Sequence, residues 1–161
     1  TEVDLIPFGA IENEQRETKL SKPKVFEIRM PGFTEAAPFA VEMKSDDITF
    51  KTFPIEGLIM LKLISWDDRN KRTKDLLDID HIIDACEVWF IDEIYGTDID
   101  LLEKYDPDDE KYYMKKVTGH LMGRKMKAIL HANPALQERV LGILQKQPNI
   151  RWDAMRNGLN E

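Results

Sequence analysis

Val3, Leu5 and Pro7 alternate with Glu2, Asp4 and Ile6 at the start of the chain, a period of two that predicts a strand. The strand has no turn or initiator Met before it, so further chain upstream is expected. Residues 12–24, ENEQRETKLSKPK, carry no periodicity and include a Ser-Lys-Pro break, which predicts a loop between strands. Alternation returns in VFEIRM, and after Pro31-Gly32 the run FAVEMKSDDITFKTF predicts two short strands joined at Ser45-Asp46-Asp47. From Pro54 the period lengthens. PIEGLIMLKLISWDDR is apolar on most sides, which predicts a largely buried helix over 54–69 with Lys62, Ser65 and Arg69 on one stripe. A second helix is predicted over 73–86, with Leu76, Ile79, Ile82, Ile83 and Cys86 on its apolar arc, Asp75 within that arc, and Asp80, His81 and Asp84 pointing away. Asp106-Pro107-Asp108-Asp109 has the form of an N-cap, first-turn proline and acidic first turn, which predicts a long helix running to about His131. Asn133-Pro134 repeats the device, and Pro148 closes the helix that follows. The pattern predicts an α+β fold: a small antiparallel or mixed sheet within residues 1 to about 52, packed on helices, with a helical C-terminal region.

Composition narrows the function classes. With 161 residues the chain is long enough to bury a core, and 42% hydrophobic with 33% charged residues is ordinary for a globular protein. The apolar stretches fall short of the roughly 20 residues that span a bilayer, and the first residues show no basic segment leading into an apolar run, so no membrane partner and a cytoplasmic location are expected. Cys86 is the single cysteine, which rules out an intrachain disulfide. A net charge of −7 argues against a protein that coats nucleic acid through a broad basic face, although basic patches occur at Arg69–Lys74 and Lys115–Lys127.

Three positions stand out chemically. Asp4 is a carboxylate between Val3 and Leu5 on a strand that runs into Pro7-Phe8-Gly9, and an ionised group there needs a partner. It is either a divalent-metal ligand or general base, or a strand-end residue capping a nearby turn. Lys62 and Asp75 each place a charge on an apolar face of adjacent helices, so a short connection would bring them together as an ion pair, with Arg69 assisting. That pair either locks a helical hairpin or orients cations toward a phosphate. His81, His120 and His131 lack the spacing of a zinc site, and there is no Gly-rich phosphate loop. Trp66, Trp89, Tyr95, Tyr112 and Tyr113 fall at helical spacing and are expected in the core. Gly119 and Gly123, one turn apart, are expected to allow close helix packing.

Taken together, VDLIPFGAIE, PGFTEAAPFAVEM and EGLIMLKLISWDDRNKRTKDLLDIDHII resemble the nucleotidyltransferase-like proteins of abortive-infection toxin systems, within the DNA polymerase beta superfamily. The resemblance covers roughly the first half of the chain and implies residues 1–86 as part of a nucleotidyltransferase core, with 87–161 a helical region packed on it. It maps the family's third catalytic carboxylate, also a metal ligand, to Asp4. It maps the Leu-Lys-Leu, the Arg and the Lys-Asp followed by Asp of the family's later helix pair to Lys62, Arg69, Lys74-Asp75 and Asp78, with Lys62, Arg69 and Asp75 serving nucleotide binding. The implied reaction moves a nucleoside monophosphate from a nucleoside triphosphate to an acceptor hydroxyl, on an RNA end or a protein, with Mg²⁺ or Mn²⁺ as cofactor and a cognate antitoxin as a partner. The chain departs from the family pattern in having no Gly-Ser followed by Asp-x-Asp ahead of Asp4; Asp78-Ile79-Asp80 and Asp98-Ile99-Asp100 lie in helical or helix-entry context. Two-metal transfer needs several carboxylates holding ions about 4 Å apart, so these 161 residues alone are expected to be inactive. The alternative is a degenerate, non-catalytic member of the fold that binds a partner protein or a nucleotide.

Overall fold

The computed structural model describes residues 9–11, 13, 14, 17–20, 26–69, 73–147 and 149–161. The expected strand at the start of the chain, with Asp4, lies outside them. The architecture is α+β: two antiparallel ribbons followed by a helical body.

Strands β1 (Glu17–Leu20) and β2 (Phe26–Arg29) pair from Glu17 opposite Arg29 to Leu20 opposite Phe26. β1 falls inside the segment expected to be a loop. Its sequence, ETKL, is too short and too polar to show a period of two, and it is extended through its ladder with β2. A one-turn helix, α1 (Phe33–Ala36), then starts from Gly32 at φ 96°, a left-handed conformation suited to glycine. A side chain there would also press on Leu61 and Ile64 at 3.1 Å, so Gly32 both turns the chain and seats it on the next helix. After a 3₁₀ turn (Ala37–Phe39), β3 (Val41–Ser45) and β4 (Ile48–Thr52) form the expected hairpin. Its turn residues are Asp46 and Asp47, with Asp46 at φ 53°, which Asp tolerates better than most residues. The expected single sheet is thus divided among the described residues into two ribbons, and every residue of β3 and β4 is exposed.

Helix α2 (Ile55–Asp68) is buried on most sides, as its apolar run requires: Ile59, Met60 and Leu63 are inaccessible to solvent. Helix α3 (Thr73–Trp89) buries Asp75, Ile79, Ile83 and Cys86 and continues three residues beyond the expected end. Two short helices follow, α4 (Ile91–Ile94) and α5 (Asp100–Glu103). Helix α6 (Tyr113–Leu130) begins later than Asp106-Pro107 predicts. The Asp106 carboxylate accepts the Asp108 N–H at 3.0 Å in a local turn, and Asp109 O accepts the N–H groups of Tyr112 and Tyr113 at 2.9 and 2.8 Å, so the capping chemistry is spent on turns before the helix starts. Helix α7 (Pro134–Leu144) has the expected cap, with Asn133 accepting the Leu136 N–H at 3.1 Å. Asn149 caps α8 (Ile150–Asn160) in the same way through the Arg151 N–H at 2.9 Å.

Glycine sets the closest helix contact. A Cβ on Gly123 would lie 1.9 Å from Met155 O, and one on Gly158 2.1 Å from His120 O, so α6 and α8 touch backbone to backbone. Trp66 of α2 meets Trp152 of α8 edge to face at 5.3 Å, joining the hairpin of α2 and α3 to the later helices in one continuous core. Trp89 and Tyr95 are surface residues, contrary to expectation: Trp89 ends α3 past its last buried residue, Cys86, and Tyr95 caps the short α4. No helix among the described residues is long and apolar enough to cross a membrane.

Candidate functional site

Lys62 lies in the third turn of α2. Across the connection to α3, Asp75 and Asp78 stand three residues apart on one face and both meet it. The Lys62 ammonium donates to Asp78 Oδ2 at 2.7 Å and lies 3.8 Å from Asp75 Oδ1. Asp75 is nearly buried and accepts a hydrogen bond from the Ser65 hydroxyl at 3.1 Å. The expected Lys62–Asp75 contact is present, and Asp78 is the closer partner. The hydrogen bond from Lys62 holds the Asp78 carboxyl below the usual carboxylate range, against the opposing effect of burial.

Arg69 caps the C-terminal end of α2. The acids beside it are committed elsewhere: Asp68 takes Arg139 at 2.6 Å, and Asp67 takes Lys146 and lies 3.6 Å from Arg139. Among the described residues, the Arg69 guanidinium has no carboxylate partner.

Lys62, Ser65, Arg69 and Asp75 line one open cleft of about 370 Å³. The rest of its lining is mainly apolar and includes Met30, Phe33, Phe53, Leu58 and Leu61. Phe33 and Phe53 meet edge to face at 5.4 Å, an arrangement set by the Gly32 turn on one side and the exit from β4 on the other. All three expected nucleotide-binding residues therefore converge on one concave surface that combines polar groups with two aromatic rings. A second concavity of about 330 Å³, lined by Thr73, Leu76, Asp80, Asn149 and Trp152 among others, contains a carboxylate and, among the described residues, no cation.

Asp4 lies outside the described residues. Among those described, no group of three or more His, Cys, Asp or Glu side chains could hold a metal ion. The two carboxylates that line the cleft, Asp68 and Asp75, do not fit one, since Asp68 is engaged by Arg139 and Asp75 by Ser65 and Lys62.

Two further polar clusters lie away from the cleft. Arg151 of α8 is nearly buried and bridges Asp80, at 3.1 Å, and Asp84, both on the outward face of α3. His120 of α6 is a core histidine, with Nδ1 2.8 Å from the Tyr105 hydroxyl and Nε2 2.8 Å from Glu161; His81 and His131 are exposed. The Arg151 bridge was detectable only as two outward acids one turn apart, a spacing that most solvated helices share.

Comparison of the chain with family models, curated proteins and solved structures finds no match.

Proposed function

We propose that the cleft between α2, α3 and the two phenylalanines binds a nucleoside triphosphate, as part of a nucleotidyltransferase that moves a nucleoside monophosphate to an acceptor hydroxyl. The observation that carries the reading is the convergence of Lys62, Arg69, Asp75 and Ser65 with Phe33 and Phe53 on one concave surface. The charges divide the work. Lys62 already faces two carboxylates, so its net attraction for an anion is small, but an ammonium has three donors and the one given to Asp78 leaves others for a phosphate oxygen. Arg69 has no carboxylate partner among the described residues, and its planar guanidinium suits two phosphate oxygens at once. The rings of Phe33 and Phe53 offer the base an apolar surface.

In this reading an RNA end or a protein hydroxyl attacks the α-phosphate and pyrophosphate leaves. Asp4, with Mg²⁺ or Mn²⁺, belongs to the same proposal and rests on the resemblance of VDLIPFGAIE alone. The described residues do not assemble a metal site, and no step is assigned to one. A toxin role, a cognate antitoxin and a cytoplasmic setting likewise rest on the resemblance. One observation favours the second reading, a non-catalytic domain that binds nucleotide or a partner: Asp75 and Asp78 are both committed to holding Lys62.

Calorimetric titration with ATP, GTP, CTP and UTP tests the proposal. At least one triphosphate is expected to bind, and Arg69→Ala is expected to weaken it by about ten- to a hundredfold, the loss of one charge-assisted contact. A folded protein that binds none at millimolar concentration, or an Arg69→Ala variant with unchanged affinity, overturns it. Binding without transfer of labelled nucleotide to RNA or protein, in a chain that includes any residues encoded upstream, selects the non-catalytic reading.

A further inference from the structure

The hairpin of β3 and β4 has an exposed apolar face and, among the described residues, no further strand on either edge. Pairing of Met43 with Phe50 places those two residues on one face together with Val41 and Ile48, and all four are between 46% and 68% exposed. The opposite face carries Glu42, Lys44, Thr49 and Lys51. Isolated two-stranded ribbons are marginal in water, and unpaired edge groups are templates for another strand.

The β3 edge has a feature that the β4 edge lacks. A two-residue turn closes on Ser45 and Ile48 as a hydrogen-bonded pair, and alternation along an antiparallel ladder then leaves the N–H and C=O groups of Glu42 and Lys44 pointing outward. A second β3 strand lying antiparallel along this edge has three short registers that keep outward groups opposed. One sets Glu42 against Glu42 and another sets Lys44 against Lys44. The third places a twofold axis at Met43 and sets Glu42 against Lys44 twice. A row across the polar face then reads Lys51, Glu42, the partner's Lys44, the partner's Thr49, which places Glu42 between two lysines.

We infer that this chain self-associates through β3, two copies pairing antiparallel about Met43 into a four-stranded sheet ordered β4-β3-β3-β4. The occupant of the edge is a second copy of this chain because the charge pattern VEMKS is complementary to itself in one register only. The contact is isologous and closes at two copies. It merges the two apolar faces across adjacent Met43 side chains, and it is independent of whether the cleft binds nucleotide.

The register makes the test specific. Sedimentation of the 161-residue protein is expected to show a concentration-dependent dimer. Glu42→Lys alone opposes lysines, and Lys44→Glu alone opposes glutamates, so each is expected to dimerise at least about tenfold more weakly at low salt. An equimolar mixture of the two variants restores both pairs and is expected to form the heterodimer. Both positions are solvent-exposed, and circular dichroism of each variant checks that it folds. Met43→Cys is expected to cross-link to itself on mild oxidation, because a non-hydrogen-bonded antiparallel pair brings Cα atoms to about 4.5 Å, within disulfide reach. A monomer at every concentration, a dimer indifferent to both charge reversals, or variants that associate no better mixed than alone would each overturn the inference.

Discussion

Lys62 faces two carboxylates at unequal distances, 2.7 Å to Asp78 and 3.8 Å to Asp75, so deleting either one leaves it paired. Stranding a buried charge outright costs about 3–5 kcal/mol, but Asp75→Ala spares Lys62 that fate and removes only the acceptor of the Ser65 hydroxyl and one charge contact, an expected loss of about 1–3 kcal/mol. Lys62→Ala is expected to cost more, because Asp75 is then left nearly buried with Ser65 alone. Chemical denaturation of the two variants gives the order, and a larger loss for Asp75→Ala would show that the carboxylate has a role beyond the pair. Cys86 is the opposite kind of buried group, one held inert. Burial, with Glu56 adding to it, pushes its thiol up to about 12, so it is expected to resist thiol reagents in the native protein and to react once on unfolding. Fast labelling under native conditions would contradict its position in the core.

The helix hairpin was legible because α2 announces itself by an apolar run too long for a strand, and Lys62 and Asp75 are the charges that interrupt apolar faces. Asp78 was harder to see, since it sits on the edge of the α3 arc and becomes the closer partner only once the axes of α2 and α3 are set. The aromatic lining of the cleft was not legible at all: Phe33 and Phe53 are twenty residues apart and meet through the Gly32 turn and the β3–β4 excursion between them. The strand β1 and the start of α6 were missed for a shared reason, that short polar segments take their structure from pairing and turns instead of from periodicity. The glycines of α6 were read correctly, and they carry a sharp prediction. Gly142→Ala on α7 meets nothing within 4 Å and should stabilise by about 0.5–1 kcal/mol through helix propensity. Gly123→Ala gains the same propensity but drives a Cβ into Met155 O, so α8 must move and a net destabilisation is expected. Thermal melts that shift in the same direction for both variants would disprove the close contact of α6 and α8.

A clamp of paired charges forms around Glu161, which lies 2.7 Å from Arg124, 2.8 Å from Lys104 and 2.8 Å from His120. Arg124 in turn takes Asp98 and Asp100, each at 2.7 Å, so one side-chain network ties α5 and the turn before it to α6 and α8. Burial alone would raise the Glu161 carboxyl, but hydrogen bonds from Arg124 and Lys104, helped by His120, outweigh it and hold the group down at about 2. Burial also lowers His120, with Glu161 opposing it in part, so the native state resists a proton there. Both shifts carry the same sign. A depressed group contributes stability above its ordinary value and loses it as pH falls through the native one, so the loss begins below the histidine's 6.5 and, for Glu161, runs from the ordinary 4.5 down to about 2. Glu161→Gln is expected to be less stable at neutral pH by about 1 kcal/mol, a figure already reduced for its partial exposure. The deficit should shrink below the ordinary carboxylate value and vanish near the native one, while His120→Phe should flatten the first, higher-pH part of the decline. Urea denaturation of the three proteins across that range measures the differences, and parallel curves for the parent and Glu161→Gln would show that the clamp does not hold these helices together.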